Sequence, residues 1–188
     1  MIISLSGKKR SGKSSVATYL TKKYGFVEVS WAAPLKEIIG RQLFGLTTEQ
    51  LYGTEAEREA IDLRWGMSPR EILQKVGTDL FRVYFMDDFW VRIGVERIKN
   101  EVANGHNVVI SDTRFPNELK AAEELGSKTI RMKRPDMVSA DYHDSETSLD
   151  DASFEYDISA TTGHLNNVYL VIDSIVSGKG FNAVPPPV

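Results

Sequence analysis

Short apolar runs alternate with amphipathic segments along most of the chain. The sequence opens with the run MIISLS, and FVEVSW, HNVVISD and KTIRMKR are later runs of the same kind. Short apolar runs bounded by turn-forming residues are typical of buried parallel strands. Between the runs, apolar residues recur three or four positions apart, as they do on one face of a helix. The alternation predicts an α/β protein in which helices flank a parallel central sheet.

Capping residues mark the ends of several predicted helices. The segment SSVATYLTKKYG places Val16 and Leu20 at helical spacing and ends in a glycine. In SPREILQKVG, Ser68 is an N-cap and Glu71 completes a capping box, while Gly77 is the predicted stop. These signals predict regular helices after the first strand and near the middle of the chain.

The length of 188 residues predicts a single domain covering residues 1–188. Within it, the helical stretch 35–104 is too long for one crossover between parallel strands and is predicted to be an insertion. A polar segment, 131–150, resembles a lid. The last residues, 180–188, end in three prolines and are predicted to be a flexible tail.

Composition narrows the class of protein. The chain has no cysteine, which excludes disulfides and thiol nucleophiles, and its net charge of −3 argues weakly against a general nucleic-acid binder. No apolar run approaches the roughly 20 residues that span a bilayer. We therefore expect a cytoplasmic protein that contacts neither membrane nor nucleic acid.

The first strand is followed by GKKRSGKS, which satisfies the P-loop pattern G-x-x-x-x-G-K-[ST]. The pattern gains weight because a predicted strand precedes it and a predicted helix follows. Gly7 and Gly12 permit the tight turn, and the amides of residues 8–14 form an anion nest at a helix N-terminus. Lys13 is expected to reach the β- and γ-phosphates, and the Ser14 hydroxyl to ligate Mg²⁺. The motif predicts binding of ATP or a similar nucleoside triphosphate.

A kinase of a small phosphorylated acceptor needs cations beyond the P-loop, because two phosphates must approach each other. Arginine suits this task since its fork matches phosphate oxygens. Arg10 lies within the loop, and Arg114 follows the HNVVISD strand at the edge where open parallel sheets bind ligands. Further candidate cations are Lys36, Arg70, Arg82, Arg131 and Arg134. The sequence has neither the N-K-x-D of GTPases nor the S-G-G-Q of ABC-type ATPases, which favours the kinase.

Two other residues stand out by position. Asp112 follows an apolar strand, as a carboxylate that holds Mg²⁺ would, although it could instead face the acceptor or cap the next turn. Trp90 lies beside two aspartates and is the best candidate for stacking on a base, with burial in a helix core as the alternative.

Several collinear stretches together resemble the deoxynucleoside monophosphate kinases of bacteriophages, members of the P-loop nucleotide kinase superfamily. These stretches are SGKKRSGKSS, AAPLK, SPREILQKVGTDLFR, SDTRFPNELKAAEELGSKTIRMKRP and HDSE. The resemblance implies a three-layer α/β/α P-loop fold with a helical NMP-binding insertion and a short lid. It also implies transfer of the ATP γ-phosphoryl group to a 5′-deoxynucleoside monophosphate with Mg²⁺, for DNA precursor synthesis.

The resemblance further implies roles for individual residues. ATP binding falls to Gly7, Lys9, Arg10, Ser11, Gly12, Lys13, Ser14 and Ser15. Acceptor binding falls to Arg10, Lys36, Arg70, Gly77, Thr78, Trp90, Asp112, Thr113, Arg114 and Glu146. Catalysis is assigned to Arg10, Lys13, Asp112, Arg114 and Arg131, and Mg²⁺ to Ser14 and Asp112.

Two alternatives stay open. The chain could phosphorylate a non-nucleotide acceptor such as phosphomevalonate, or it could be a regulatory module that binds ATP without transferring phosphate. The second cation cluster argues against the module, because ATP binding alone requires only the P-loop. The accepted bases and the exclusion of ribose are not fixed by the sequence, and a homodimer is left open.

Overall fold

Five strands form one sheet in the computed structural model, which describes residues 1–136, 144–159, 161 and 165–178. The strands are β1 (Ile2–Ser6), β2 (Val27–Val29), β3 (Val108–Thr113), β4 (Lys128–Lys133) and β5 (Tyr156–Ser159). Their order is β2-β3-β1-β4-β5. β1 pairs in parallel with β3 and β4, and β4 pairs in parallel with β5. The α/β fold with a parallel central sheet is thereby confirmed.

The strand register brings three carboxyl ends to one edge of the sheet. Ser6, the last residue of β1, is opposite Thr113 on β3 and Arg131 on β4. Because these strands run in the same direction, the segments that follow them leave the sheet at the same edge. Open parallel sheets bind their ligands at this edge.

The chain divides into two compact units. The first contains residues 1–28 and 104–188, and the second is the continuous stretch 29–103. The second unit nearly coincides with the insertion predicted at 35–104. The predicted tail, 180–188, and the middle of the predicted lid lie outside the described residues.

The core of the first unit lies between the sheet and two helices. The helices of this unit are Lys13–Tyr24, Pro116–Glu124, Asp144–Thr147 and Leu165–Ser177. On one sheet face, Ile3 and Leu5 of β1 are fully buried against the helices Lys13–Tyr24 and Leu165–Ser177. Ile110, which alternates to the other face of β3, is fully buried as well. Both faces are therefore covered, as the three-layer architecture requires.

Helices dominate the second unit. They are Leu35–Leu43, Thr48–Tyr52, Glu55–Glu59, Pro69–Gln74, Lys75–Phe85 and Phe89–Ala103. The predicted capping box is present: the Ser68 hydroxyl accepts a bond from the Glu71 amide, and the Glu71 carboxylate accepts one from the Ser68 amide. This pairing explains why a helix begins at Pro69.

The predicted helix stop at Gly77 is wrong, because the helix continues through Lys75–Phe85 with wide π-type turns. Gly77 has no positive φ, so it does not form a left-handed cap. It is buried, and a Cβ there would collide with the Leu35 side chain. Leu35–Leu43 has the same wide turns, and its last amide bond, from Phe44 to Ile39, spans five residues at 3.0 Å. Such turns are rare and occur often at functional sites.

A close approach between a ring and a backbone holds the second unit together at Gly94. The Trp31 ring, 1% exposed, lies directly over this residue of the helix Phe89–Ala103. A Cβ at position 94 would overlap the ring, so the two can meet only because Gly94 has no side chain. Glycine normally weakens a helix interior, and the burial of the large ring offsets that cost.

Candidate active site

The GKKRSGKS segment forms a loop between β1 and the helix Lys13–Tyr24. Gly7, Arg10 and Gly12 all have positive φ angles, of 133°, 64° and 98°. A side chain at Gly7 would be strained by this φ and would also collide with the Met132 carbonyl oxygen of β4. The strand, the loop and the helix thus have the context that a phosphate-binding loop needs.

The Lys13 ammonium folds back onto its own loop. It donates hydrogen bonds to the Gly7 carbonyl, to the Lys8 carbonyl at 2.8 Å and to the Ser11 hydroxyl at 3.3 Å. Burial, and next the nearby Arg114 charge, lower the pKa of Lys13 to about 7, although Glu146 and Asp112 act in the opposite direction. The loop therefore holds a buried cation that titrates near neutral pH.

Glu146 joins the loop to the segment that follows β3. Its side chain is only 1% exposed. One carboxylate oxygen accepts a hydrogen bond from the Lys9 amide at 2.7 Å, and the other forms an ion pair with Arg114. The structure thus brings together three of the predicted site residues, Lys9, Arg114 and Glu146.

The turn after β3 is held by a second buried carboxylate, Glu118, which is 2% exposed. It accepts hydrogen bonds from the Arg114 amide at 2.8 Å and the Phe115 amide at 3.1 Å. The Thr113 hydroxyl is hydrogen-bonded to the Ser4 hydroxyl of β1 at 2.8 Å, which ties β3 to β1 beside the loop. Asp112 is half-buried on the same strand. Its negative charge partly opposes the lowering of the Lys13 pKa that burial and Arg114 cause.

The predicted arginines differ in their partners. Arg134 donates to the Arg10 carbonyl at 3.0 Å and so contacts the loop. Arg131 instead forms a forked ion pair with Asp157 of β5, with distances of 2.6 and 3.0 Å. Within the described part of the chain, its other hydrogen bonds go to the carbonyls of Leu149 and Asp150. In this structure the Arg131 guanidinium is therefore paired with Asp157 and not directed at the loop.

The three serines of the loop and the helix start differ in their exposure to solvent. Ser14 is exposed, Ser15 is half-buried and Ser11 is buried. The Ser14 hydroxyl and the Asp112 carboxylate are oxygen donors, which is the ligand chemistry that Mg²⁺ prefers. This donor set fits Mg²⁺, with the other positions left to water and phosphate oxygens. Among the described residues, no group of three or more His, Cys, Asp or Glu side chains could hold a metal ion.

The predicted acceptor residues of the second unit have different partners. Trp90 is 4% exposed, and its indole NH donates to the Gly77 carbonyl at 2.9 Å. Thr78 follows Gly77 in the same wide helix and is half-buried. The Lys36 ammonium lies 4.6 Å from the centre of the Tyr52 ring. Arg70, the last of these residues, is 3.6 Å from the Glu59 carboxylate.

Trp90 belongs to an aromatic cluster. Phe81 lies 4.8 Å from Phe89 and 5.0 Å from Trp90, measured between ring centres. Phe85 contacts Phe81 and Phe89 edge to face. The buried indole and its bond to Gly77 make Trp90 a support for the wide helix in this structure.

Sequence analysis did not single out Glu118, Asp157 or Asp150, three carboxylates that contact predicted site residues or the loop. Glu118 is the third residue of a helix that begins with proline, so the capping-box pattern could have identified it. Asp157 is directly opposite Arg131 in the β4–β5 register, which is visible only once strand pairing is known. Asp150, which pairs with Lys8 at 2.9 Å, gives no signal in the sequence.

A phosphate-binding loop between β1 and a helix, on a parallel sheet with further cations at its carboxyl edge, defines the class of P-loop kinases. The family model of deoxynucleotide monophosphate kinases matches residues 49–169. The chain therefore belongs to the deoxynucleotide monophosphate kinase family.

Individual relatives agree with this assignment. A putative deoxynucleotide monophosphate kinase of Acanthamoeba polyphaga mimivirus is 42% identical over 79% of this chain and 82% of that protein. The deoxynucleotide monophosphate kinase of Enterobacteria phage T4 is 24% identical over 79% of this chain and 87% of its own. That of Escherichia phage RB69 is 30% identical over 65% of this chain and 50% of its own. None of the helices in the described part of the chain combines the length and the apolar character needed to cross a bilayer.

Proposed function

We propose that this protein transfers the γ-phosphoryl group of ATP to a 5′-deoxynucleoside monophosphate, forming the diphosphate and ADP. An oxygen of the acceptor phosphate attacks the γ-phosphorus, and the bond to the β,γ-bridging oxygen breaks. The observation that carries the proposal is the arrangement of Lys13 in the loop and Arg114 tied to the same loop through Glu146. Membership of the family supports the choice of acceptor.

The proposed roles follow from the placement of each cation. The loop amides bind the phosphates of ATP, and Lys13 exchanges its contacts with the loop carbonyls for contacts with phosphate oxygens. Arg114 and Arg10 stabilise the charge on the phosphoryl group in transit. Ser14 and Asp112 would hold Mg²⁺, which offsets phosphate charge when bound. Arg131 can act on phosphate only if it leaves Asp157.

The acceptor residues of the second unit stay predictions. Lys36 and Arg70 supply positive charge for the monophosphate. Thr78 adds a hydroxyl beside the carbonyl of Gly77, and the Trp90 ring supports the wide helix that carries both. We propose the host cytoplasm as the location, because the relatives named above are viral. The absence of nucleic-acid binding also stays a prediction, and a homodimer stays open.

An ADP-release assay tests the proposal with ATP, Mg²⁺ and, in turn, dTMP, dGMP, dCMP, dAMP and GMP. We expect ADP with one or more deoxynucleotides, which also gives the base specificity. ADP with none of them, while ATP still binds, would favour another phosphorylated acceptor or an ATP-binding module. If the protein is the proposed kinase, Arg114→Ala should lower phosphoryl transfer by roughly 1,000-fold, to a low but measurable rate, and leave ATP binding intact.

A further inference from the structure

Two carboxylates of one short segment contact neighbouring residues of the phosphate-binding loop. Glu146 accepts a hydrogen bond from the Lys9 amide at 2.7 Å, and Asp150 pairs with the Lys8 ammonium at 2.9 Å. Their surroundings differ sharply, because the Glu146 side chain is 1% exposed and that of Asp150 is 48% exposed. Solvent screens the exposed pair, so Asp150 contributes little, whereas the buried carboxylate is held firmly in place.

Arg114 is held at both ends, at its backbone amide by Glu118 and at its guanidinium by Glu146. Glu118 holds the Arg114 amide at 2.8 Å, so the backbone at this residue cannot shift easily. Glu146 holds the guanidinium through the oxygen that does not contact Lys9. A charged hydrogen bond to a buried carboxylate is short and directional, which restricts the orientation of the planar guanidinium.

The charge of Glu146 makes direct contact with the phosphate of the acceptor unfavourable. A carboxylate repels phosphate oxygens, and burial strengthens the repulsion because little water screens it. Its contacts to Lys9 and Arg114 are attractive for the same reason. The chemistry therefore favours an action through Arg114 over the direct binding that the family resemblance implies.

We infer that Glu146 is a positioning residue, which orients the Arg114 guanidinium against the phosphate-binding loop. The inference rests on the proposed function, in which Arg114 stabilises the phosphoryl group in transit. Correct orientation matters because a displacement of about 1 Å in a catalytic site can cost roughly 100-fold in rate. ATP binding depends mainly on the other loop amides and on Lys13, and Glu146 bonds only the Lys9 amide of the loop, so the Kd of ATP should change much less than kcat when Glu146 is replaced.

The test compares Glu146→Gln, Asp150→Asn, Arg114→Ala and the double variant of Glu146→Gln with Arg114→Ala. The kcat for the best deoxynucleotide is measured at saturation, and the Kd of ATP is measured separately. We expect Glu146→Gln to lower kcat by roughly 10- to 100-fold while the Kd of ATP changes by less than about threefold. Asp150→Asn, the matched control from the same segment, should stay within about threefold of wild type in kcat.

The double variant separates positioning from a general loss of structure. If Glu146 acts through Arg114, then Glu146→Gln costs no further activity once Arg114 is alanine. Glu146→Asp keeps the charge but shortens the reach, so it should lower kcat with an unchanged Kd of ATP even if the glutamine variant does not fold. Additive losses in the double variant, or an equal loss in Asp150→Asn, would overturn the inference and leave the kinase intact. A wild type that phosphorylates no deoxynucleotide would instead overturn the proposed function and the inference with it.

Discussion

Lys13 is a buried cation that, within the described part of the chain, donates hydrogen bonds to two carbonyls and a hydroxyl of its own loop. Burial lowers its pKa to about 7, so a large fraction of the free protein carries a neutral Lys13 at slightly alkaline pH. A bound triphosphate raises the pKa again, because opposite charge at close range favours the protonated amine. Ligand binding and protonation are therefore coupled at this residue.

We predict that ATP binding takes up about one proton at pH 8.5 through Lys13, since binding favours the protonated form. The Kd of ATP should then rise by up to about tenfold per pH unit above pH 7.5. Isothermal titration calorimetry in two buffers of different ionisation enthalpy measures the uptake. Lys13→Arg is the control, because a guanidinium stays charged throughout and takes up no proton. Equal heats in both buffers for the wild type would show that the free lysine is already protonated.

At the scale of single elements, the turn after β3 depends on a carboxylate that belongs to the following helix. Glu118 reaches back from Pro116–Glu124 to the amides of Arg114 and Phe115, which precede the helix. The same contacts determine where the Arg114 backbone lies. Glu118, which caps the turn, therefore also determines the backbone position of Arg114, four residues earlier in the sequence.

We predict that Glu118→Ala lowers the free energy of unfolding by about 1–3 kcal/mol, because two amides lose a buried charged acceptor. It should also lower kcat, since Arg114 loses its fixed backbone. Urea denaturation and the ADP-release assay measure the two effects. Glu123→Ala, an exposed change on the same helix, is the control and should alter neither quantity. A destabilised Glu118→Ala protein with normal kcat would mean that the turn does not orient Arg114.

The two helices on one face of the sheet are joined by a polar cluster at Asp173 of Leu165–Ser177. This carboxylate accepts hydrogen bonds at 2.7 Å from Tyr19, Lys23 and Tyr24 of the helix Lys13–Tyr24. Burial alone would raise the pKa of Asp173, but the three donors together hold it below its usual range. A lowered carboxyl pKa stabilises the fold above the unfolded-state value, and the contribution is lost as pH falls.

We predict that Asp173→Asn lowers the free energy of unfolding at pH 7 by about 1–2 kcal/mol, through loss of the charged acceptor. The gap between variant and wild type should narrow below about pH 4, where the carboxyl of the unfolded chain becomes protonated. Urea denaturation at pH 7, 5 and 3.5 gives the comparison. A gap that stays constant over this range would show that the charge of Asp173 contributes nothing.

The sequence predicted elements well where apolar periodicity and capping residues agree, as for β1 and the Ser68 cap. It did not predict the wide turns of Leu35–Leu43 and Lys75–Phe85. Their geometry depends on tertiary contacts, such as the bond from Trp90 to the Gly77 carbonyl and the Leu35 side chain over Gly77. Neither contact is visible in a periodic pattern, so the stop at Gly77 was predicted wrongly.

At the scale of the whole molecule, the two compact units are predicted to bind different ligands. The first unit contains the phosphate-binding loop and Arg114. The second contains five of the predicted acceptor residues, which are Lys36, Arg70, Gly77, Thr78 and Trp90. Each unit has its own cluster of buried apolar residues. A ligand that binds one unit should therefore slow amide hydrogen exchange mainly in that unit. This division can be tested without turnover.

We predict that a non-hydrolysable ATP analogue slows amide exchange in residues 8–15, because the proposed function assigns phosphate binding to the loop amides. A deoxynucleoside monophosphate should slow exchange in Lys75–Phe85. Hydrogen exchange measured by mass spectrometry with each ligand alone gives the two patterns. An adenosine control without phosphates should leave the exchange rates of residues 8–15 unchanged. Protection of residues 8–15 by the monophosphate alone would contradict the assignment.

The sequence predicted a loop between a strand and a helix, because the pattern is contained in eight consecutive residues. It also predicted that Arg114 follows a strand, and Arg114 does follow β3. The contacts of Arg114 could not be predicted. Glu146 is 32 residues away from it in the sequence, and Glu118 contacts it only because of the conformation of the turn after β3. The pair formed by Arg131 with Asp157 depends on which strands are neighbours, and this was known only from the sheet order.

The contact between Trp31 and Gly94 has a consequence for the evolution of this family. Neither residue can be replaced alone without cost, because a side chain at 94 overlaps the ring and a smaller ring at 31 leaves a void. Substitutions at the two positions should therefore be inherited together. Across an alignment of relatives, a larger residue at the position of Gly94 should accompany a smaller one at the position of Trp31.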